Sequence, residues 1–162
     1  TAVDKLPDYQ FVIAAAPSQP LDFYKSLIGA RDIKVIPDET YSLLSASEAA
    51  LVTSGTATLE TALLNIPEVV CYKGGAVSYH IAKRIVDIKY ISLVNLIMDK
   101  EVVKELIQDD LNEQTIFIEL KKILSPEHRI NLLADYAELR KKLGGSGASA
   151  KAAKIIQDFM NN

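Results

Sequence analysis

The sequence LVTSGTATLE, residues 51–60, is the stretch that decides the fold. An apolar run ends at Thr53, Ser54-Gly55 is typical of a tight turn, and residues that favour helices follow Thr56, so we predict a strand, a turn and a helix. The first backbone N–H groups of a helix have no partner within it, and the aligned peptide dipoles place roughly +0.5 charge there. A phosphate or a carboxylate can therefore bind at this turn, and Gly55 would let it come close to the backbone.

Glu60 lies four residues after Thr56, one turn further along the same helix face. A carboxylate at that position can accept hydrogen bonds from the two hydroxyl groups of a sugar. An ordinary capped helix with a solvated glutamate explains the same sequence. The pattern by itself therefore does not distinguish a ligand site from a plain helix.

Strands and helices alternate along the rest of the chain. Short apolar or β-branched runs predict strands at residues 10–16, 33–36, 49–53, 68–72 and 90–93. Apolar residues that share one helical face predict helices at 21–30, 40–46, from 56 toward Pro67, at 79–86, 101–108, 112–124 and 126–143, and from 149 onward. This alternation indicates right-handed βαβ units, and the fold class that it predicts is a Rossmann-like three-layer α/β domain with a parallel sheet and extra C-terminal helices.

One edge of the predicted sheet is the candidate ligand site. Ligands of such sheets bind beyond the carboxyl ends of the strands. Ser54, Lys73 and Asn95 each follow a predicted strand. We therefore expect three separate segments of the chain to meet at this edge.

The chain divides into two parts at a glycine-rich segment, GGSG at residues 144–147. Residues 1–143 are predicted to form the Rossmann-like domain. Because the chain opens on Thr1 and reaches a strand almost at once, we expect a fragment of a longer protein whose first strand is missing. Residues 144–162 are predicted to be a linker and a terminal helix. The apolar stripe of that helix must pack on this domain, on a missing domain or on a partner, and its members are Ala152, Ile155, Ile156, Phe159 and Met160.

Composition narrows the range of partners and compartments. A formal charge of −3 and a pI near 5.4, without a basic cluster, argue against nucleic acid as a partner. A single cysteine, Cys71, excludes an internal disulfide and suits a reducing compartment. No apolar run reaches the ~18 residues needed to span a bilayer, and the N-terminus is not a signal peptide. We therefore predict a cytoplasmic protein.

Several kinds of catalytic site have no counterpart in the sequence. His80 and His128 are far apart and neither lies in a ligand pattern with cysteine or carboxylates, so we expect no metal site. His80 lies near the predicted cleft and could act as an acid, a base or a phosphate donor, although a surface histidine is the simpler interpretation. Cys71 lies within an apolar strand, where a buried and inert thiol is expected. Neither a Walker sequence nor GxGxxG is present, and no glycine precedes Ser54 as in an esterase, so this turn is interpreted as a phosphate cradle.

Four ordered motifs carry a resemblance to a known family. They are SGTATLE at 54–60, Pro67 with VVCY at 69–72, YISLVN at 90–95 and VVKELIQ at 102–108, and GGSGASAKAA near the end fits as well. Together they resemble the C-terminal, nucleotide-sugar-binding half of the lipid A disaccharide synthases, and the resemblance covers nearly all 162 residues.

The resemblance implies half of a GT-B glycosyltransferase, in which two Rossmann-like domains face each other across a cleft. Members of this family are inverting, metal-independent enzymes on the cytoplasmic face of the inner membrane, and they need no cofactor. They transfer 2,3-diacylglucosamine from its UDP donor to the 6-hydroxyl of lipid X and release UDP. The general base belongs to the N-terminal acceptor domain of the family. We therefore expect this chain alone to have no transferase activity and to bind UDP weakly.

The resemblance also assigns substrate-binding residues. Ser54, Gly55 and Thr56 would meet the pyrophosphate, Ala57 would be a further substrate-binding residue, and Glu60 would bind the ribose hydroxyls. Residues 36–41 could frame the uracil. The rest of the donor site would comprise Asn95, Glu105 and Gln108. Lys73 is the candidate cation for the charge that develops on the leaving group, although a solvated loop lysine explains it too.

Two other interpretations of the sequence remain open. A related UDP-sugar enzyme, such as the glycosyltransferase that makes the peptidoglycan lipid intermediate or the UDP-GlcNAc 2-epimerase, places a glycine-rich turn and acidic or Gln-Glu pairs near this position. Here the chain has Thr-Leu-Glu at 58–60 instead, and SLVN and ELIQ favour the disaccharide synthases. A non-catalytic Rossmann-like module, with the C-terminal stripe as a homodimer interface, is the alternative from a different class.

Overall fold

The computed structural model describes residues 3–74, 89–144 and 147–160. Within these ranges the strands are β1 (Val12–Ala15), β2 (Lys34–Pro37), β3 (Ala50–Thr53), β4 (Glu68–Tyr72) and β5 (Lys104–Ile107). The α-helices are α1 (Leu21–Ile28), α2 (Thr40–Ser45), α3 (Thr56–Leu63), α4 (Leu93–Met98), α5 (Glu113–Ile123), α6 (Pro126–Lys142) and α7 (Ala148–Met160). Short 3-10 turns span Val3–Lys5 and Gln108–Asp110.

Every strand pair is parallel, which confirms the predicted α/β fold class. β3, β4 and β5 form one sheet in that order, and Val52 lies opposite Val70 in its register. β1 and β2 form a second, two-stranded sheet. Among the described residues, the strands therefore belong to two sheets rather than to the single sheet that the sequence predicted.

Strand β4 organises the core because both of its faces are covered. Val69 and Val70 have no exposed surface, and successive strand residues point to opposite faces. Val70 packs into a cluster with residues of α3, α4 and α6, whereas Val69 packs with Leu106 of β5 and with α5. Helices on both sides of a parallel sheet make the three layers of a Rossmann-like domain.

Two predicted elements near the site are wrong. Residues 90–93 do not form a strand, because Ser92 caps α4: its hydroxyl oxygen accepts a hydrogen bond from the Asn95 backbone N–H at 3.2 Å. Residues 101–108 do not form a helix, because Lys104–Ile107 pairs with β4 as a strand. Glutamate, lysine and leucine favour helices in isolation, and pairing with a buried strand overrides that preference.

The C-terminal helix begins at Ala148, close to the predicted start, and its apolar stripe is exposed. Phe159 is 84% exposed and Ile155 is 69% exposed. The predicted helix at 79–86 lies outside the described residues. Among the helices that the structure describes, none has the length and apolar character needed to cross a membrane.

Candidate functional site

Three strands of the larger sheet end at the same edge, because β3, β4 and β5 run parallel. Ser54 follows β3, Lys73 follows β4 and Gln108 follows β5. The Gln108 side-chain amide donates a hydrogen bond to the Gly74 carbonyl at 3.3 Å, which links the segments after β4 and β5. The predicted convergence at this edge is therefore present for Ser54 and Lys73, with Gln108 as the third member.

The amino end of α3 opens onto this edge. Within the described residues no side chain caps the helix, and Gly55 occupies the position before its first turn. The Thr58 hydroxyl donates to the Gly55 carbonyl at 2.8 Å, which fixes the turn from the inner side. Gly55 and Thr56 are exposed, and a Cβ on Gly55 would meet no atom within 4 Å. An anion can therefore approach the backbone N–H groups of Thr56 and Ala57 from solvent.

The Ser54 hydroxyl serves the protein itself. It donates a hydrogen bond to the Ile91 carbonyl at 2.9 Å, and the Ser54 backbone N–H donates to the Cys71 carbonyl at 3.4 Å. A hydroxyl has one proton, so Ser54 can offer a ligand only its oxygen while this bond is intact. Its contribution is to hold the segment before α4 against the turn.

Glu105 holds the same segment from the other side. One carboxylate oxygen accepts from the Ile91 backbone N–H, and the other accepts from the Ser92 backbone N–H, each at 2.9 Å. The second oxygen also accepts from the Asn95 side-chain amide at 2.9 Å. Ser54, Glu105 and Asn95 thus form one network around residues 91–92.

Asn95 is buried in α4 rather than placed after a strand. Its side chain has no exposed surface. Its oxygen accepts from the backbone N–H groups of Val102 and Val103 at 2.8 and 3.0 Å. Its nitrogen donates to the Val103 carbonyl at 2.8 Å and to Glu105. These bonds use all four positions that an asparagine amide offers, so Asn95 fixes the start of β5 and has nothing left for a ligand.

Glu60 lies half-buried on α3, one turn after Thr56. Its charge, and its acceptance of a hydrogen bond, raise the pKa of the Tyr41 hydroxyl above the usual value. Tyr41 is in the first turn of α2 and is 60% exposed. The segment that the sequence placed near the uracil therefore reaches Glu60, a pairing for which the sequence contains no local signal.

The remaining candidates are simple to place. Lys73 is exposed. Cys71 is half-buried rather than fully buried, and burial raises the pKa of its thiol to about 11. His80 lies outside the described residues. His128 lies in the first turn of α6, where its backbone N–H donates to the Ser125 hydroxyl at 3.4 Å. The described part of the chain contains no group of three or more histidine, cysteine or carboxylate residues that could hold a metal ion.

Comparison with known proteins gives a consistent result. The family model described as lipid-A-disaccharide synthetase matches residues 8–159. The lipid-A-disaccharide synthase of Syntrophus aciditrophicus is 39% identical over 148 residues, which cover 89% of this chain and 39% of that protein. The corresponding proteins of Geobacter sulfurreducens and Gloeothece citriformis are 32% and 36% identical, and each alignment covers 97% of this chain and 42% of the relative. The chain thus spans about two fifths of the length of the curated relatives that it matches.

Proposed function

Since the chain belongs to the lipid-A-disaccharide synthetase family, we propose that the edge around Gly55 holds the UDP part of a nucleotide-sugar donor. The amino end of α3 carries this proposal, because no side chain of the described part of the chain caps it and its first backbone N–H groups lie one turn away from the Glu60 carboxylate. A pyrophosphate at Thr56 and Ala57 would leave the ribose hydroxyls within reach of Glu60. Tyr41 lies next to Glu60, and it belongs to the segment proposed to frame the uracil.

The complete protein, by this proposal, is a glycosyltransferase that moves 2,3-diacylglucosamine from UDP to lipid X with inversion at the anomeric carbon. It would need no metal or other cofactor, and it would work in the cytoplasm on the inner face of the inner membrane. The match to the family over residues 8–159 favours this reaction over that of the peptidoglycan glycosyltransferase or the UDP-GlcNAc 2-epimerase.

The proposed mechanism is positional and electrostatic. Inversion requires the attacking hydroxyl to lie in line with the departing UDP, and the charge that develops on the pyrophosphate must be stabilised. The amino end of α3 supplies a positive potential, and the exposed Lys73 is the nearby cation on the strand edge. Ser54, Glu105 and Asn95 act indirectly, because their hydrogen bonds hold residues 91–92 beside the turn.

No residue of this chain is assigned as the general base, which must deprotonate the acceptor hydroxyl. We propose that the base lies in another part of the protein and that the 162-residue chain has no transferase activity. Turnover of UDP-2,3-diacylglucosamine and lipid X by the purified chain would contradict this assignment.

Titration with UDP tests the nucleotide site. We expect saturable shifts of the Thr56 and Ala57 amide resonances, and we expect Glu60→Gln to weaken UDP binding by about tenfold or more, because hydrogen bonds to a charged group contribute ~1.5–3 kcal/mol. The loss should shrink for 2′-deoxy-UDP, which lacks one of the hydroxyls. Glu127→Gln, at an exposed position in α6, is the matched control. An unchanged affinity in Glu60→Gln would remove Glu60 from the site, and an absence of any saturable shift would remove the site itself.

The exposed stripe of α7 favours a second role, as an assembly surface. Phe159 and Met160 are 84% and 78% exposed, which is unusual for large apolar side chains that share a helix face. We propose that this stripe packs against the remainder of the complete protein or against a second copy in a homodimer. Light scattering at increasing concentration distinguishes the two, since a chain that stays monomeric throughout would contradict the homodimer.

A further inference from the structure

Gln108 has a backbone conformation that is unusual for a glutamine. It is the first residue after β5, and its φ angle of 53° lies in the left-handed region. Among the residues that the structure describes, the other non-glycine residues with positive φ are Asp38, Asn65 and Asp99. Aspartate and asparagine tolerate this region, whereas longer side chains are strained there. Strain of this kind is concentrated at functional sites, so the Gln108 side chain is a candidate for a specific role.

The Gln108 side chain contacts the segment that follows β4. Its amide nitrogen donates a partly buried hydrogen bond to the Gly74 carbonyl at 3.3 Å. The register of the sheet places Tyr72 opposite Ile107, so the residues that follow the two strands are neighbours. The strained backbone and the bond to Gly74 therefore occur together at the edge proposed to hold the nucleotide.

Gly74 also packs against Tyr72. A Cβ on Gly74 would lie 2.7 Å from the Tyr72 hydroxyl oxygen and 3.1 Å from two carbons of the ring, so the Gly74 backbone is in direct contact with this side chain. Tyr72 is fixed in its turn, because it is the last residue of β4 and pairs with β5. Lys73 lies between these two anchored residues, and its side chain is exposed. The contacts of Gly74 with Tyr72 and Gln108 therefore fix the direction in which Lys73 leaves the sheet.

We propose that Gln108 is a positioning residue of the nucleotide site: its amide holds Gly74, and this places the Lys73 ammonium group against the diphosphate of UDP. Gln108 then acts on the nucleotide through Lys73, in contrast to the direct donor contact that the resemblance implies for it. A lysine side chain is long and flexible, so fixing its backbone reduces the conformational entropy that it loses on binding an anion. This inference rests on the proposed function, which supplies the diphosphate.

Titration of Gln108→Met with UDP tests the positioning role. Methionine has a similar length but no amide, so the bond to Gly74 is lost and no charge is added. We expect the Kd for UDP to rise by about fivefold, which is the size of effect that the ordering of one long side chain has on binding. Gln114→Met, at an exposed position of α5, is the matched control and should leave the Kd unchanged. The same Kd in Gln108→Met as in the parent would overturn the proposal.

A double-mutant cycle with Lys73→Met distinguishes positioning from direct contact. Lys73→Met alone should raise the Kd by about tenfold, and the addition of Gln108→Met should raise it by less than about twofold more. Gln108→Met should also flatten the dependence of the Kd on salt, as Lys73→Met does, because the contact that is lost is electrostatic. Additive losses in the cycle would overturn the proposal, since Gln108 would then contact the nucleotide itself. A parent chain without saturable UDP binding would contradict the proposed function as well, whereas additive losses leave that function standing.

Gln108→Gly separates positioning from fold stability. Glycine adopts a φ of 53° without strain, so we expect the thermal midpoint to stay within about 2 °C of the parent or to rise. The Kd for UDP should nevertheless rise as it does in Gln108→Met. Gln108→Asn, which tolerates the left-handed region but is shorter by one methylene group, should weaken UDP binding too. A lowered midpoint with an unchanged Kd in these variants would assign Gln108 to fold stability alone and overturn the proposal.

Discussion

Replacing Glu68 with glutamine is expected to raise the free energy of unfolding at pH 7 by on the order of 3 kcal/mol. Glu68 is the first residue of β4, and its side chain has no exposed surface. Neither oxygen of its carboxyl group has a hydrogen-bond partner among the described residues. Burial raises the pKa of this carboxyl from 4.5 to about 9. Folding at pH 7 therefore requires Glu68 to take up a proton that the unfolded chain has released.

The sign of the pH dependence follows from the raised pKa. The folded chain binds the Glu68 proton more tightly than the unfolded chain, so this stabilisation is complete below pH 4.5 and is lost as the pH rises toward 9. The contribution to the free energy of unfolding should fall by up to about 1.4 kcal/mol per pH unit within that window. The buried Tyr136 lies next to Glu68. The pKa of the Tyr136 hydroxyl is raised, mainly by burial and secondly by the charge of Glu68. The other titratable groups around the adjacent cavity of about 90 Å³ are Glu101, Lys104, Glu119, Lys122 and His128.

Urea unfolding of the parent chain and of Glu68→Gln between pH 5 and pH 8.5 measures this effect. The difference in the free energy of unfolding between the two proteins should increase as the pH rises, because glutamine fills a similar volume and cannot ionise. Glu101→Gln is the matched control, since Glu101 lines the same cavity but is exposed and pairs with Lys104 at 3.3 Å. Its effect should stay within about 0.5 kcal/mol. A difference in the free energy of unfolding that does not change with pH would show that Glu68 is already ionised in the folded protein.

Asn95→Ala is expected to lower the free energy of unfolding by about 3–5 kcal/mol. The substitution leaves the backbone N–H groups of Val102 and Val103 without their acceptor in a fully buried site. It also removes the donor that binds Glu105, which holds residues 91–92. Each buried group that loses its partner costs about 1–3 kcal/mol.

Two further variants make the Asn95 measurement specific. Asn95→Asp keeps an acceptor for the two backbone N–H groups but places a second carboxylate against Glu105, so it should also destabilise the fold. Asn131→Ala, at an exposed position of α6, should change the free energy of unfolding by less than about 0.5 kcal/mol. If Asn95→Ala unfolded at the same urea concentration as the parent and yet lost UDP binding, Asn95 would have to contact the nucleotide itself.

The accuracy of the sequence predictions depends on how local the signal is. β4 has the bounds that its apolar run predicted, and α3 begins at the predicted Thr56, because a strand, a glycine turn and a run of helix-forming residues are all signals within a few positions. β5 was predicted as a helix because four residues are too few for periodicity to separate the two states. Its conformation is determined by pairing with β4, which is distant in the sequence.

The same distinction applies to the candidate site. The positions of Gly55 and Thr56 at an exposed helix start could be predicted from their neighbours alone. The role of Glu105 could not, because its partners come from residues 91–95, which precede it by a full loop and helix. Glu68 was interpreted as part of an apolar strand, and the lack of a hydrogen-bond partner for its carboxyl group within the described ranges depends on the helices that cover β4.

The half-buried Cys71 can report how often strand β4 opens. It is the single cysteine of the chain, and it lies opposite Thr53 in the sheet, where its backbone carbonyl accepts a hydrogen bond from the Ser54 N–H. Alkylating reagents attack the thiolate, and with a pKa near 11 little thiolate exists at neutral pH while β4 stays closed. The rate of labelling therefore reports how often strand β4 opens. A nucleotide bound at the Gly55 turn should slow this reaction.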